Sequence, residues 1–216
     1  MKKTVIFDLD GTLLNTLEDL TTSTNYALRS NGYNPRTMDE VRRFVGNGIR
    51  LLMIRALPGG EDNPDFDKVF RDFRNHYIIH CNDTTHPYPG IPELLDTLNK
   101  RGINLAIVSN KADKAVKELT DIYFKDLIHV AIGENEAAGI KKKPAPDTLL
   151  EALNQLDGKP SEALYVGDSD VDIDTAKNAN VQCISCSWGF RSVSFLKEHN
   201  ATDIIDNPMA LIDYLN

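Results

Sequence analysis

Cysteine is scarce in this chain, basic charge is in the minority, and no long apolar run is present. The three cysteines, Cys81, Cys183 and Cys186, cannot all pair with one another, which argues against a disulfide framework and for reduced thiols in a reducing compartment. Acidic side chains outnumber basic ones by 32 to 24, a formal net charge of -8. That balance disfavours nucleic acid as a partner, because a phosphate backbone is met by a basic face. No stretch approaches the roughly 20 apolar residues that cross a bilayer, so no membrane association is expected. Met1-Lys2-Lys3 is followed only by Thr4-Val5-Ile6-Phe7 before Asp8 and Asp10 intervene, too short a run for a secretory signal, and a cytoplasmic location is expected. Nothing in the composition sets an oligomeric state.

What is present is a globular composition, 41% hydrophobic over 216 residues, enough for one large domain or one domain with an insertion. Strand-sized runs at Thr4 to Phe7, Asn104 to Val108, His129 to Ile132, Ala163 to Val166 and Val181 to Ser185 alternate with helical patterns. Pro92 to Lys100 stops before Gly102, Pro146 to Leu156 stops before Gly158, and Pro208 opens a last helix. The alternation predicts an α/β fold, a doubly wound, Rossmann-like parallel sheet with helices on both faces. Ligands of such sheets sit at the C-terminal ends of strands. Residues 14–83 break the pattern. Thr37 with Glu40 forms a capping box, and Phe66, Val69, Phe70, Phe73 and Tyr77 form an apolar helical stripe. A helical domain at 14–83 inserted after the first strand of a core at 1–13 and 84–216 is therefore expected, with hinges at Thr12 to Asn15 and Asp83 to Gly90.

The strongest chemical signal is Asp8-Leu9-Asp10-Gly11-Thr12, directly after the first strand. Residues two apart on extended chain face the same side, so both carboxylates project together while Leu9 turns away. Adjacent carboxylates repel one another, and a cation between them relieves this. Gly167-Asp168-Ser169-Asp170-Val171-Asp172 follows a second strand, where Asp168 could meet Asp8 across the sheet, and such an oxygen cluster suits Mg²⁺. A calcium loop begun at Asp168 fails, because Ile173 and Ala179 stand where Gly and Glu are needed. Asp170 and Asp174 read in part as ordinary helix-start acids. Ser109-Asn110-Lys111 ends another strand and offers a hydroxyl and amides at an expected helix N-terminus, suited to a phosphate oxygen. In Lys141-Lys142-Lys143-Pro144, the first two lysines read as solvated, whereas Pro144 keeps Lys143 extended and able to reach inward.

In this order along the chain, Asp8 to Thr12, Ser109, Lys143 and Gly167 to Asp172 resemble the motifs of the haloacid-dehalogenase (HAD) superfamily of phosphohydrolases. The insertion corresponds to that superfamily's C1 cap. Within it, Val45-Gly46-Asn47-Gly48, Leu51-Leu52, Arg55-Ala56-Leu57, Tyr88-Pro89-Gly90 and Ser109-Asn110-Lys111 look most like phosphoglycolate phosphatases. Asn15 departs from the Asp of many relatives and Ser109 from their Thr; the first can still cap a helix and the second keeps its hydroxyl. The resemblance implies a Mg²⁺-dependent phosphomonoesterase acting on a small phosphorylated metabolite, with 2-phosphoglycolate the best single guess. It makes Asp8 the nucleophile that carries the phosphoryl group and Asp10 the acid and base. Asp8, the Asp10 carbonyl and Asp168 would hold the metal, with Asp172 reaching it through a water. Gly11, Thr12, Ser109, Asn110 and Lys143 would surround the phosphoryl oxygens. For the organic part, the turn Gly46-Asn47-Gly48 with Arg50 is the candidate, glycines allowing amides to approach an anion; Asn47 and Arg50 are its contact residues.

Competing readings are a sugar phosphomutase or a pyrophosphate phosphatase on the same scaffold and, from another class, a phospho-accepting regulatory module. Receiver modules are shorter and lack a helical insertion. A dehalogenase has no use for a proton donor at Asp10. Cys183 and Cys186 lie three apart on a strand and face opposite sides, so they are read as core thiols. His76 and His80 are read as a partly exposed helix face, and Trp188 as core.

Overall fold

A computed structural model describes residues 1–135 and 139–216. In chain order the elements are β1 (Thr4–Phe7), β2 (Leu14–Asn15), α1 (Leu17–Ser30), α2 (Met38–Phe44), α3 (Ile49–Ala56), α4 (Phe66–His80), β3 (His86–Pro87), α5 (Ile91–Lys100), β4 (Asn104–Ala112), α6 (Asp113–Tyr123), β5 (Val130–Glu134), α7 (Asp147–Gln155), β6 (Ala163–Gly167), α8 (Asp170–Asn178), β7 (Gln182–Cys186), α9 (Val193–Glu198) and β8 (Ile204–Ile205). Pro208–Tyr214, expected as a final α-helix, is a 3₁₀ helix instead. Among the described residues no helix is long and apolar enough to cross a membrane.

The chain divides into two compact units, one made of Met1–Leu14 with Pro87–Asn216 and the other of Asn15–His86. In the first, the strands run in the order β5-β4-β1-β6-β7-β8, and every pairing along that sheet is parallel. Side chains alternate across it. Val5, Phe7, Ile107, Leu164, Val166 and Ile184 pack on one face with α5 and α6 residues such as Leu95 and Val116. Ile6, Ala106, Val108 and Tyr165 pack on the other with α7 and α8 residues such as Leu149 and Ala176. Burial on both faces explains why these strands are apolar runs rather than alternating patterns. Cys186 falls in the first cluster and Cys183 beside the second, and neither is in a disulfide. From β1 the chain winds outward to β4 and β5, then returns to β6, β7 and β8, so the sheet reverses its order at β1. A crevice opens at the C-terminal ends of strands at such a point.

The second unit is helical. α4 buries Phe66, Val69, Phe73 and Tyr77 as its stripe predicts, and Phe70, less buried, stacks on Phe66 at 5.8 Å. The capping box of Thr37 and Glu40 starts α2. Asn15 accepts from Leu17 N–H at 3.4 Å at the start of α1. His76 stacks on His80 at 4.2 Å, and each is occupied locally, His76 with Ser23 Oγ at 3.0 Å and His80 with Asp83 at 2.7 Å. The unit boundaries fall at 14/15 and 86/87, one and three residues later than the sequence suggests. Leu14 N–H bonds back to Leu9 C=O at 3.0 Å, which ties it to the turn after β1. At the other end Thr84 and Thr85 are held by buried Asp19, which accepts both their amides (3.0 and 2.9 Å) and both their hydroxyls (2.7 Å each).

Candidate active site

Asp8 follows β1, between β4 and β6, and its N–H extends the ladder to Val166 C=O at 2.9 Å. The carboxyl is buried, and its Oδ1 lies 2.8 Å from Lys143 Nζ. Two residues on, Asp10 is less buried and accepts from Lys111 Nζ at 3.0 and 3.3 Å. The chain then folds back in a tight turn in which Gly11 N–H donates to Leu14 C=O at 2.9 Å. Gly11 has φ +90, and a Cβ there would stand 2.5 Å from Asp168 Oδ2, so only glycine lets the turn pass this acid.

Asp168 and Asp172 come from the end of β6 and the first turn of α8. Ser169 and Asp172 form a reciprocal capping box; Asp172 Oδ2 accepts the Ser169 hydroxyl at 2.6 Å and the amides of Ser169 and Asp168 at 3.1 and 3.2 Å. Its Oδ1 accepts from Lys143 Nζ at 2.7 Å and Tyr165 OH at 2.8 Å. Lys143 Nζ also donates to Tyr165 OH at 2.9 Å. All three N–H bonds of that ammonium are thereby matched to Asp8, Asp172 and Tyr165. The backbone of Lys143 is held in turn by the Asn110 side chain, which accepts its N–H at 2.8 Å and donates to its C=O at 3.0 Å. Phe190 N–H donates to Asp168 Oδ2 at 2.6 Å.

The electrostatics follow from burial and these pairings. Burial pushes the Asp8 carboxyl up to about 7, against the pull of Lys143. Asp168 is raised well above the usual carboxylate range by burial and then by the charges of Asp172 and Asp8. Burial also disfavours charge on Asp172, but Lys143 and the hydrogen bonds outweigh it and hold this carboxyl low. For Lys143, burial opposes the ammonium, and Asp172 and Asp8 more than restore it. One oxygen from each of Asp8, Asp168 and Asp172 lies within 4.8 Å of the others. Three buried carboxylates around one ammonium leave negative charge uncompensated, and an all-oxygen set is what a hard divalent cation takes. The residues fit such an ion.

The structure therefore brings Asp8, Asp10, Ser109, Asn110, Lys143, Asp168 and Asp172 to the reversal point of one sheet, and it revises several expected contacts. Ser109 and Asn110 lie within β4, which runs on to Ala112, and not at a helix N-terminus; α6 starts only at Asp113. Asn110 acts through its side chain on Lys143 as well. The Gly11 amide, expected to meet a phosphoryl oxygen, is committed to the turn. Thr12 is wholly buried, and its C=O accepts from Trp188 Nε1 at 3.0 Å, so it braces the loop. Asp172, expected to reach a metal through a water, lies in the three-carboxylate cluster and also bonds Lys143, Tyr165 and the start of α8. In the helical unit, Arg50 pairs with Glu61 at 2.5 Å and lies over the Phe66 and Phe70 rings. Asn47 Oδ1 accepts from Arg55 at 3.1 Å. Both residues thus have partners within that unit. Two participants were not anticipated. Lys111 entered only as the end of Ser109-Asn110-Lys111 and Tyr165 only as part of the strand run Ala163 to Val166, and the fold places their polar ends beside acids.

Residues 5–186 match the family described as haloacid dehalogenase-like hydrolase. A phosphoglycolate phosphatase of Pseudomonas putida is 32% identical over 98% of this chain and 79% of its own length. An N-acetylmuramic acid 6-phosphate phosphatase of Pseudomonas aeruginosa is 31% identical over 99% of this chain and 95% of its own. A solved structure from Lactobacillus delbrueckii subsp. bulgaricus is 35% identical and superposes with a TM-score of 0.94 over 100% of this chain and 99% of that one. The chain belongs to the haloacid dehalogenase-like hydrolase family.

Proposed function

We propose that this hydrolase is a Mg²⁺-dependent phosphatase that works through an aspartyl-phosphate on Asp8, with 2-phosphoglycolate as its substrate. The observation that carries the reading is the pair Asp8 and Asp10 at the end of β1, the first on Lys143 at 2.8 Å and the second on Lys111 at 3.0 Å. An Asp8 oxygen attacks phosphorus in line; the bond from phosphorus to the leaving oxygen breaks, and Asp10 gives that oxygen its proton. In the second half Asp10 takes a proton from water, whose oxygen attacks phosphorus and breaks the bond to Asp8. The same carboxyl serves twice because the second step restores the proton used in the first. Lys143 keeps Asp8 oriented and offsets part of its charge, while Tyr165, Asp172 and Asn110 seat Lys143. Ser109 donates its hydroxyl hydrogen to a phosphoryl oxygen. Asp8, Asp168 and the Asp10 carbonyl would hold Mg²⁺, which would supply positive charge to offset that of the reacting phosphoryl group. The helical unit takes the part of the family's cap, which selects among organic groups.

A second substrate, a sugar-acid phosphate, is favoured by the relative named for N-acetylmuramic acid 6-phosphate. The test is phosphate release with and without Mg²⁺ from 2-phosphoglycolate, N-acetylmuramic acid 6-phosphate, hexose phosphates, nucleotides and pyrophosphate. Asp8→Asn is expected to lose at least ~10³-fold in kcat, as removal of a nucleophile does. Undiminished release by Asp8→Asn, or none from any ester by the native chain, overturns the reading.

A further inference from the structure

Among the described residues only two lysines are buried, Lys111 and Lys143. They differ in what they face. Lys143 has its three N–H bonds matched to Asp8, Asp172 and Tyr165, deep beside the nucleophile. Lys111 comes from the end of β4, its side chain only 3% exposed, and its ammonium reaches both oxygens of Asp10. Asp10 is the group that must touch the leaving oxygen if the chain hydrolyses phosphomonoesters. An ammonium 3.0 Å from Asp10 Oδ1 is then about one group away from that oxygen. In an ester of the type phosphate-O-CH₂-carboxylate, the carboxylate sits two bonds beyond the leaving oxygen, within the same reach.

We propose that Lys111 determines specificity by pairing with a carboxylate carried on the carbon next to the ester oxygen. The inference rests on the phosphatase reading and assigns to β4 a role that the sequence had suggested for Arg50, whose guanidinium pairs with Glu61 and lies over Phe66 and Phe70. Charge carries the selection. A substrate carboxylate joins Asp10 on a shared cation, whereas a hydroxyl in its place gives the ammonium no charge to pair with. Because the cation lies in a buried site, the pairing is screened far less than one on the surface.

Two esters of one skeleton isolate the effect, 2-phosphoglycolate and 2-hydroxyethyl phosphate. The readout is the ratio of their kcat/KM values. The native chain is expected to favour 2-phosphoglycolate, and Lys111→Met to lower the ratio about 10- to 100-fold, the worth of one charge-assisted hydrogen bond, chiefly through KM. Lys111→Arg keeps the charge and is expected to restore much of the preference. If Lys111 served only to position Asp10, both esters would lose in proportion and the ratio would stay constant, which overturns the proposal. So does a native chain indifferent to the two esters, a result that needs no variant to fold. A native chain silent on every phosphomonoester overturns the phosphatase reading itself, an outcome distinct from either.

Discussion

The two units use charge in opposite ways. At the strand ends of the α/β unit the ionised groups are sunk, with Lys143 and Asp172 side chains 2% and 1% exposed and Asp8 10%. In the helical unit, Arg50 with Glu61 and Arg42 with Asp39 pair across side chains 44% to 76% exposed. Surface pairs contribute little, since solvent screens them and holding two long side chains costs entropy. Buried groups depend wholly on one another, because losing one partner strands the rest without water. Polar chemistry and structural dependence therefore coincide in one unit and are nearly separate in the other. Asp19 is the exception, the one buried acidic or basic side chain among the described residues of the helical unit.

Four measurements would break or sharpen this contrast. Lys143→Met leaves Asp8 and Asp172 buried without their ammonium, and urea unfolding in metal-free buffer should register a loss of about 3–5 kcal/mol; a loss below ~1 kcal/mol would contradict the contrast at its strongest point. Asp19→Ala strips Thr84 and Thr85 of a charged acceptor and should cost about 1.5–3 kcal/mol by the same measurement. If it behaved like a surface substitution, the exception would vanish. Glu61→Ala should fall under ~1 kcal/mol, with thermal unfolding at low and high salt nearly alike.

The smallest effect concerns His76, which burial, and then the charge of His80, holds below the ordinary histidine value of 6.5. The unfolded chain takes up that proton more readily than the folded one, so stability from neutral His76 is complete above about pH 6.5 and declines as pH falls. Comparing unfolding midpoints at pH 7 and 5.5 for the native chain and His76→Gln should reveal a slightly flatter pH dependence in the variant. An identical slope would remove His76 from the account.

Much of the architecture was legible because it depends on local pattern. β1 runs from Thr4 to Phe7 as its apolar run suggests, the Thr37 capping box closes as written, and the α4 stripe is buried. Asp8, Asp10 and Asp168 could be placed together because strand ends at a reversal point converge. The partners were not legible. Lys111 meets Asp10 across 101 residues, Lys143 meets Tyr165 across 22, and Asp19 meets Thr85 across 66. Periodicity tells which face a side chain takes, yet not which distant group waits there. Tyr165 illustrates the limit, since a tyrosine in an apolar strand is indistinguishable from core until its hydroxyl is found between Lys143 and Asp172.

Leu14–Asn15 and His86–Pro87 pair as a two-stranded sheet at the two places where the chain leaves and re-enters the α/β unit. Neighbouring strands lie about 4.8 Å apart, so the interruption of the parent fold is only one strand spacing wide. Closure entropy grows only slowly with the length of an insertion, so a longer one joined through such a narrow mouth burdens its host little more than a shorter one. The seam is thus a natural site of exchange. A gene encoding the α/β unit could shed, lengthen or replace residues 15–86 while its acids stay in register, and substrate range could diversify without the chemistry being rebuilt.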